Sequence, residues 1–172
     1  MKISEISSTW IDFPTEEDLA VIVYFVGCSH NCTGCQNKEF QDYMWKEKET
    51  TVKDAFKEIT EYAKRSKTNK IVFSGGDPLF VKNIDGVIAL SKLLQENNYS
   101  VCIYTGYTID FIKTKDLKHV DYFKCGKYVE SLKEKEWGKN ESGFKLVSKN
   151  QKIYNHFNLI SENNFLKWDK NN

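Results

Sequence analysis

The clearest feature of the hydrophobic pattern is a continuous apolar run, Leu19–Val26. Its short length and its β-branched residues predict a strand that is buried on both faces of a sheet. Two further apolar runs, Lys70–Phe73 and Ser100–Tyr104, each end at a glycine-containing turn and also predict strands. A fourth strand is predicted at about Val120–Phe123. These runs indicate a sheet whose inner strands are covered on both sides.

Helices are predicted between these strands, because apolar residues there recur at the spacing of one helix face. The pattern covers Val52–Lys64 and Ile84–Gln95, with a short helical stretch at Ile109–Lys113. Thr51 and Asn83 stand where residues that cap a helix N-terminus are expected. Alternating strands and helices are typical of an α/β fold with parallel strands and right-handed crossovers. We therefore expect that fold class.

Less regular patterns flank this α/β core. Ile3–Ile11 predicts an edge strand or hairpin, Tyr128–Trp137 a helix, and Phe144–Ser148 a strand. A chain of 172 residues has room for one domain with one hydrophobic core. We expect that domain to span residues 1–172, with its core at about 19–153.

Charge and composition narrow the classes of function. The 25 basic and 24 acidic side chains leave a net charge of +1, which argues against broad binding of nucleic acid or of a membrane surface. No apolar run is long enough to span a bilayer, and the polar start MKISEISSTW has no signal-peptide core. We therefore expect a cytoplasmic protein.

Three of the five cysteines form a tight cluster, Cys28-x3-Cys32-x2-Cys35, within the segment GCSHNCTGCQN. In a reducing cytosol such a cluster indicates metal or redox chemistry before it indicates disulfides. Three thiolates on one loop can hold three corners of a 4Fe-4S cluster and leave the fourth iron without a protein ligand. The cluster spacing therefore favours an iron–sulfur site.

Zinc is the alternative metal for this loop. A structural zinc site needs a fourth nitrogen or sulfur ligand, and His30 lies inside the loop. His30 is close in sequence to two of the cysteines, so a relaxed tetrahedral loop is disfavoured. We interpret His30 as a hydrogen-bonding loop residue, while Cys102 is predicted to be a small core residue.

Glycine-containing turns follow the second and third predicted strands. Gly75, Gly76, Asp77 and Pro78 follow one strand, and Thr105 with Gly106 ends the next. In α/β folds, ligands bind beyond the carboxyl ends of the parallel strands. The cysteine loop and both turns are predicted to meet at that edge.

The cysteine spacing and the glycine turn resemble signatures of the radical S-adenosylmethionine superfamily. Within it, the segments GCSHNCTGCQN, SGGDPL, YTGYT, YVESL and SKNQKI occur in this order over residues 27–153. They resemble the anaerobic ribonucleoside-triphosphate reductase-activating proteins. The resemblance covers most of the chain, and its first three segments are specific in combination.

This resemblance implies a partial, open βα barrel that carries a 4Fe-4S cluster and binds S-adenosylmethionine. It implies an oxidoreductase that cleaves S-adenosylmethionine reductively and thereby installs a glycyl radical on the large anaerobic ribonucleotide reductase subunit. A flavodoxin-type protein is the implied electron donor. The implied cluster ligands are Cys28, Cys32 and Cys35. The residues implied to contact S-adenosylmethionine are Gly34, Cys35 and Gln36 near the adenine, Gly75, Gly76 and Asp77 at the methionine ammonium, and Thr105 or Tyr107 near the ribose.

Two other classes of function stay open at the level of sequence. Another short radical enzyme, such as a 7-carboxy-7-deazaguanine synthase, shares the length and the cluster loop, but is not expected to carry YTGYT and NQK. A non-enzymatic zinc or iron–sulfur module accounts for the cysteines but leaves the glycine turn without a role.

Overall fold

Strands and helices alternate along the chain in the computed structural model, which describes residues 1–10, 12–14, 19–45, 48–134 and 146–155. The strands are β1 (Ile3–Thr9), β2 (Ala20–Phe25), β3 (Lys70–Gly75), β4 (Ser100–Thr105), β5 (Tyr122–Cys125) and β6 (Lys152–Asn155). The α-helices are α1 (Val52–Arg65), α2 (Ile84–Glu96) and α3 (Ile109–Lys113). Single turns of 3-10 helix occur at Lys38–Gln41, Tyr43–Trp45 and Glu130–Leu132. None of the described helices is long and apolar enough to cross a membrane.

The six strands form one open sheet in the order β1-β2-β3-β4-β5-β6. The neighbours from β2 to β5 are parallel, as the alternating pattern predicts. The expectation of parallel strands is wrong at both edges, because β1 and β6 are antiparallel to their neighbours. The connection from β1 to β2, residues 10–19, is shorter than the dozen or so residues that a parallel crossover needs. The fold is therefore a mixed α/β sheet.

The central elements form because their apolar residues can be buried on both faces of the sheet. In β2 every residue except Tyr24 is buried, which confirms the strand predicted from the continuous apolar run. Helix α1 begins at the predicted residue, and the Thr51 side chain caps it by accepting the Asp54 N–H at 3.1 Å. Helix α3 has the predicted bounds.

Asn83 is the N-cap residue of α2, as predicted, but its side chain makes no capping hydrogen bond to the helix. Its Nδ2 donates to the Val26 carbonyl at 2.8 Å, and its Oδ1 accepts the Lys2 N–H at 3.0 Å. The side chain is fully buried, so these long-range backbone partners satisfy it better than a helix N–H does. Asn83 therefore joins the start of β1, the end of β2 and the start of α2.

The predictions for the last third of the chain were less accurate. Strand β5 starts two residues late, because the Val120 N–H is still part of a turn and donates to the Leu117 carbonyl at 3.1 Å. The helix expected at 128–137 is only the 3-10 turn Glu130–Leu132 within the described residues, and 135–137 lie outside them. Of the strand expected at 144–148, the described part forms an isolated bridge between Ser148 and Lys133. Strand β6 was not predicted.

Two apolar layers cover the two faces of the sheet. Helices α1 and α2 pack on one face, where the core includes Phe25, Phe73, Ile59, Leu90 and Phe123. On the opposite face, Phe13 packs with Ile22, Val72 and Cys102, and three tyrosines surround them: Tyr24, Tyr104 and Tyr122. Successive side chains of a strand point to opposite faces, so this second face is the one that continues to the carboxyl edge through Tyr104. Cys102 is buried there as the sequence predicted.

Candidate metal and cofactor site

The turns that follow β2, β3 and β4 meet at the carboxyl edge of the sheet, because these strands are adjacent and parallel. They surround a pocket that is open to solvent. Residues predicted from the sequence supply part of its wall: Cys28, Cys32, Cys35, Gln36, Gly75, Gly76 and Thr105. Gly34 and Asp77, which were predicted with them, lie outside the lining. The structure thus brings the cysteine loop and both turns together.

The cysteine loop starts at Gly27, whose φ of 103° is open to glycine and strained for other residues. The Gly27 N–H donates to the Phe40 carbonyl at 2.7 Å, and the Cys28 N–H donates to the Gln41 carbonyl at 3.0 Å. The 3-10 turn after the loop therefore fastens its first residues. Further along, the Cys35 N–H donates to the Cys32 carbonyl at 3.3 Å, which closes a tight turn between the second and third thiols.

The three thiols of this loop are free, partly exposed and directed to the same pocket. Burial raises the pKa of Cys28 to about 11, although a hydrogen bond from the His30 N–H to its sulfur at 3.5 Å opposes that shift. Because metals bind thiolates, loading this site releases the Cys28 proton. The donor set is soft, which suits iron–sulfur clusters or zinc.

The described residues fit a cluster with one open iron better than they fit a closed zinc site. Cys102 and Cys125, the other two thiols, are buried and do not line the pocket. Cys28, His30 and Asp77 place their ligand atoms within 4.8 Å of one another, as a zinc site would require. However, His30 Nε2 is 2.7 Å from Asp77 Oδ2, which is a hydrogen-bond distance that leaves no room for an ion between these two atoms. Three thiols on one wall of an open pocket match a 4Fe-4S cluster that keeps one iron accessible to a ligand.

The turn after β3 approaches two other backbone segments very closely. A Cβ at Gly75, where φ is 103°, would lie 2.4 Å from the Phe25 carbonyl oxygen. A Cβ at Gly76 would lie 2.4 Å from the Phe40 carbonyl oxygen. The Asp77 N–H also donates to the Gly27 carbonyl at 2.9 Å. The two glycines are therefore required for the turn to pack against the base of the cysteine loop.

The Asp77 carboxylate lies behind the pocket wall and is 1% exposed. Its Oδ1 accepts the Leu79 N–H at 2.8 Å, and its Oδ2 accepts the Gly106 N–H at 2.9 Å. Thr105 Oγ1 is 3.0 Å from both carboxylate oxygens, and His30 Nε2 is 2.7 Å from Oδ2. The carboxylate is thus bonded within the protein on both oxygens. The expected hydrogen-bonding role of His30 is confirmed.

Gly34 lies next to the third cysteine on the outer side of the loop. Its φ is 70°, and a Cβ there would lie 1.6 Å from Glu130 Oε2. Glu130 belongs to the YVESL segment, so this segment packs directly on the loop. The positive φ favours glycine at this position, whereas the exposed Glu130 side chain can move aside, and Gly34 does not itself line the pocket.

Several lining residues were not singled out from the sequence. Asn37 Nδ2 donates to the Gly75 carbonyl at 3.1 Å and so connects the cysteine loop to the glycine turn. Gln151 Nε2 donates to the Gly126 carbonyl at 3.1 Å, while its Oε1 accepts the Val147 N–H at 3.2 Å. The NQK segment was a usable signal for Gln151.

Lys124 is the lining residue for which the sequence contained no signal. It pairs with Tyr104 across the β4–β5 ladder, and its ammonium lies 4.1 Å from the centre of the Tyr104 ring. Burial lowers the pKa of Lys124 from 10.5 to about 8. The wall of the pocket thus contains a buried lysine. It lies near the carboxyl edge of the sheet, on the face opposite helices α1 and α2.

We expect Lys124→Met to raise the free energy of unfolding of the metal-free protein at about pH 7 by up to about 3 kcal/mol. The magnitude follows from the lowered pKa of Lys124, because a difference of one in pKa between the folded and the unfolded protein corresponds to about 1.4 kcal/mol of stability. The lysine holds its proton more tightly in the unfolded protein than in the folded one. The cost of burying the charged Lys124 side chain is therefore complete below about pH 8 and falls as the pH rises toward 10.5. Urea unfolding at about pH 7 and about pH 10 measures both effects.

Lys118→Met is the control, because Lys118 is exposed and its ion pair with Asp116 spans 3.4 Å at the surface. That variant should stay within about 0.5 kcal/mol of the parent at both pH values. A parent and a Lys124→Met variant with the same pH dependence would contradict the assignment of a lowered pKa to Lys124.

Comparison with known proteins identifies the type of domain. The family model described as a 4Fe-4S single cluster domain matches residues 17–154. A protein of Enterobacteria phage T4 named anaerobic ribonucleoside-triphosphate reductase-activating protein is 25% identical over 150 residues, which cover 84% of this chain and 94% of the relative. Proteins of the same name from Salmonella typhimurium and Escherichia coli K12 are each 26% identical, over 65% of this chain and 76% of the relative.

These similarities agree with the geometry of the pocket. The family match includes the cysteine loop, the glycine turn and all strands from β2 to β5. The resemblance to the reductase-activating proteins that the motifs indicated is confirmed. Since the family match covers most of its length, this chain belongs to the family of 4Fe-4S single cluster domains.

Proposed function

We propose that this protein activates an anaerobic ribonucleotide reductase by generating the glycyl radical of that enzyme, as an oxidoreductase of the radical S-adenosylmethionine type. The observation that carries the proposal is the set of three free thiols, Cys28, Cys32 and Cys35, on one loop beside an open pocket. The names of the relatives support the same activity. The open sheet fits a partial βα barrel, and residues 1–172 form one domain in this proposal.

The three thiolates would hold a 4Fe-4S cluster and leave one of its irons open to a ligand. When bound, the cluster would supply one electron to the sulfonium of S-adenosylmethionine, giving methionine and a 5′-deoxyadenosyl radical that takes a hydrogen atom from a glycine Cα. The protein needs no general base for this chemistry. Its residues hold the cofactor in one orientation and keep water from the reacting atoms.

The turn after β3 is suited to the ammonium of S-adenosylmethionine. The backbone of Gly75 and Gly76 forms the pocket wall, and the Asp77 carboxylate lies directly behind it. That carboxylate is bonded to protein groups on both oxygens, so it attracts the ammonium as a fixed negative charge close to the turn. In this proposal the backbone at Gly34, Cys35 and Gln36 borders the adenine, and Thr105 lies near the ribose.

The pocket is open to solvent. An open pocket suits a loop that enters from a large partner protein better than it suits the enclosure of a small substrate. We therefore take the large anaerobic ribonucleotide reductase subunit as the partner. A flavodoxin-type protein is proposed as the electron donor, and the cytoplasm as the place of action.

We expect a glycyl radical to appear on the reductase when the reduced, cluster-loaded protein and S-adenosylmethionine are mixed with the anaerobic reductase of the same genome. Electron paramagnetic resonance should show a doublet, because the unpaired electron couples to the remaining hydrogen of the glycine Cα. Glycine that carries deuterium at Cα should collapse the doublet to a singlet.

A reductase whose acceptor glycine is replaced by alanine is the control, and it should give no doublet. Release of 5′-deoxyadenosine that is stimulated by a small heterocycle, with no radical on the reductase, would favour a synthase instead. Stoichiometric zinc and no reaction with S-adenosylmethionine would indicate a metal-binding module.

A further inference from the structure

His30 lies in the cysteine loop, and its side chain packs against the turn after β4. Its side chain is 7% exposed although the loop around it is partly open. The ring contacts the edge of Tyr107 at 4.5 Å between centres, and Tyr107 stacks on Phe111 at 3.9 Å. A Cβ at Gly106 would lie 2.3 Å from His30 Cδ2, so only glycine leaves room for the ring there.

The polar end of His30 reaches Asp77, 47 residues further along the chain. Since a carboxylate oxygen only accepts, the Nε2–H of His30 donates to Asp77 Oδ2 at 2.7 Å. The same carboxylate accepts the Gly106 N–H and bonds Thr105 Oγ1. One buried carboxylate therefore joins the cysteine loop, the turn after β3 and the turn after β4.

The middle of the cysteine loop has few other attachments. Within the part of the chain that the structure describes, the backbone hydrogen bonds made by residues 29–34 stay inside the loop. The backbone hydrogen bonds of Gly27 and Cys28 hold only the first residues of the loop. The hydrogen bond of the Asn37 side chain holds the chain only after the third thiol. The His30 side chain is thus the hydrogen-bonding link between the middle of the loop and the glycine turn.

We infer that His30 is a positioning residue for S-adenosylmethionine, which sets the cysteine loop and the ammonium-binding turn in register by its hydrogen bond to Asp77. This inference rests on the proposed function. The loop carries the thiols for the cluster, and the turn meets the amino-acid end of the cofactor. A fixed distance between them lets one ligand reach both at once, because little binding energy is then lost in ordering the loop.

The test compares His30→Ala, His30→Gln and His119→Ala after anaerobic reconstitution of each full-length chain. His30→Ala should keep about four irons per chain but bind S-adenosylmethionine about tenfold more weakly, as expected when a charge-assisted hydrogen bond is lost. His30→Gln should recover most of the affinity, because its amide Nε2–H can donate to Asp77. His119 does not line the pocket and bonds Gln95 at the surface, so His119→Ala should match the parent.

Titration calorimetry measures the affinity, iron analysis measures the loading, and electron paramagnetic resonance of the reduced cluster reports how closely the cofactor approaches it. In the parent, S-adenosylmethionine should change the cluster spectrum at a concentration that gives only a weak change in His30→Ala. A variant with parent affinity and a parent spectral change would overturn the role of His30.

A double-mutant cycle with Asp77→Asn tests whether His30 acts through that carboxylate. The two losses of affinity should not add, and the double variant should bind about as weakly as the weaker single variant. Additive losses would overturn the inference, as would loss of iron from both His30→Ala and His30→Gln, since that result assigns His30 to cluster binding. A parent that loads iron but binds no S-adenosylmethionine would overturn the proposed function together with this inference.

Discussion

Anaerobically reconstituted protein should hold about four irons per chain, and replacing Cys28, Cys32 or Cys35 by alanine should abolish the cluster in each case. The three thiols lie on one loop and line one pocket, and no other thiol among the described residues lines it. A cluster that loses one of three protein ligands has two open irons, which leaves it exposed to loss in solution. Iron analysis and the visible absorption of the brown chromophore measure the result.

The matched controls are the two remaining cysteines. Cys102 and Cys125 are buried and do not line the pocket, so neither thiol reaches the proposed cluster site. Cys102→Ala and Cys125→Ala should therefore load iron like the parent. Stoichiometric zinc in protein purified without oxygen, with no brown colour, would contradict the assignment of the loop to an iron–sulfur cluster.

Gly76→Ala should destabilise the metal-free protein by about 3 kcal/mol and should also reduce cluster loading. The added Cβ would lie 2.4 Å from the Phe40 carbonyl oxygen and 2.7 Å from the Gly27 carbonyl oxygen. Both neighbours are backbone atoms, so relief requires a shift of the chain rather than a new rotamer. Because the Cys28 N–H donates to the carbonyl of Gln41, next to Phe40, the shift also moves Cys28, one of the three proposed cluster ligands. Urea unfolding and iron analysis measure the two effects.

Gly86→Ala is the control for this substitution. Gly86 lies inside α2, where a Cβ would meet only the flexible Met1 side chain, at 3.0 Å or more. Alanine is the better helix former by about 1 kcal/mol, so this variant should equal the parent or exceed it slightly in stability. A Gly76→Ala variant with the stability and iron content of the parent would show that the turn after β3 tolerates a side chain.

The sequence by itself determined the elements that depend on local pattern. Leu19–Val26 predicted β2 because a continuous apolar run can be buried only between two covered faces, and Val52–Lys64 predicted α1 because its apolar residues share one face. The cysteine spacing predicted a metal-binding loop for the same reason, since all three candidate ligands lie within eight residues of one chain segment. The glycine turn was found because it follows a predicted strand.

The direction of the edge strands was decided by tertiary structure. Neither the apolar residues of Ile3–Thr9 nor those of Lys152–Asn155 encode the neighbour with which each strand pairs. The connection between β1 and β2 is too short for a parallel crossover, so these two strands pair antiparallel. Between β5 and β6, the described residues form no crossover helix, and this pair is antiparallel as well. Local periodicity predicts a strand but does not specify which strand pairs with it or in which direction.

The partners of buried polar groups were also decided only by the fold. Asn83 precedes a helix and has the residue type of a cap, yet it bonds Val26 and Lys2, which are far away in sequence. Asp77 was expected at a ligand and is held by His30, Thr105 and Gly106 from two other turns. Lys124 is one polar residue in an apolar strand, and only the packing of Tyr104 beside it shows that it is buried. A buried polar atom must be satisfied by whichever donor or acceptor the folded chain brings to it, and that choice depends on contacts between distant segments rather than on neighbouring residues.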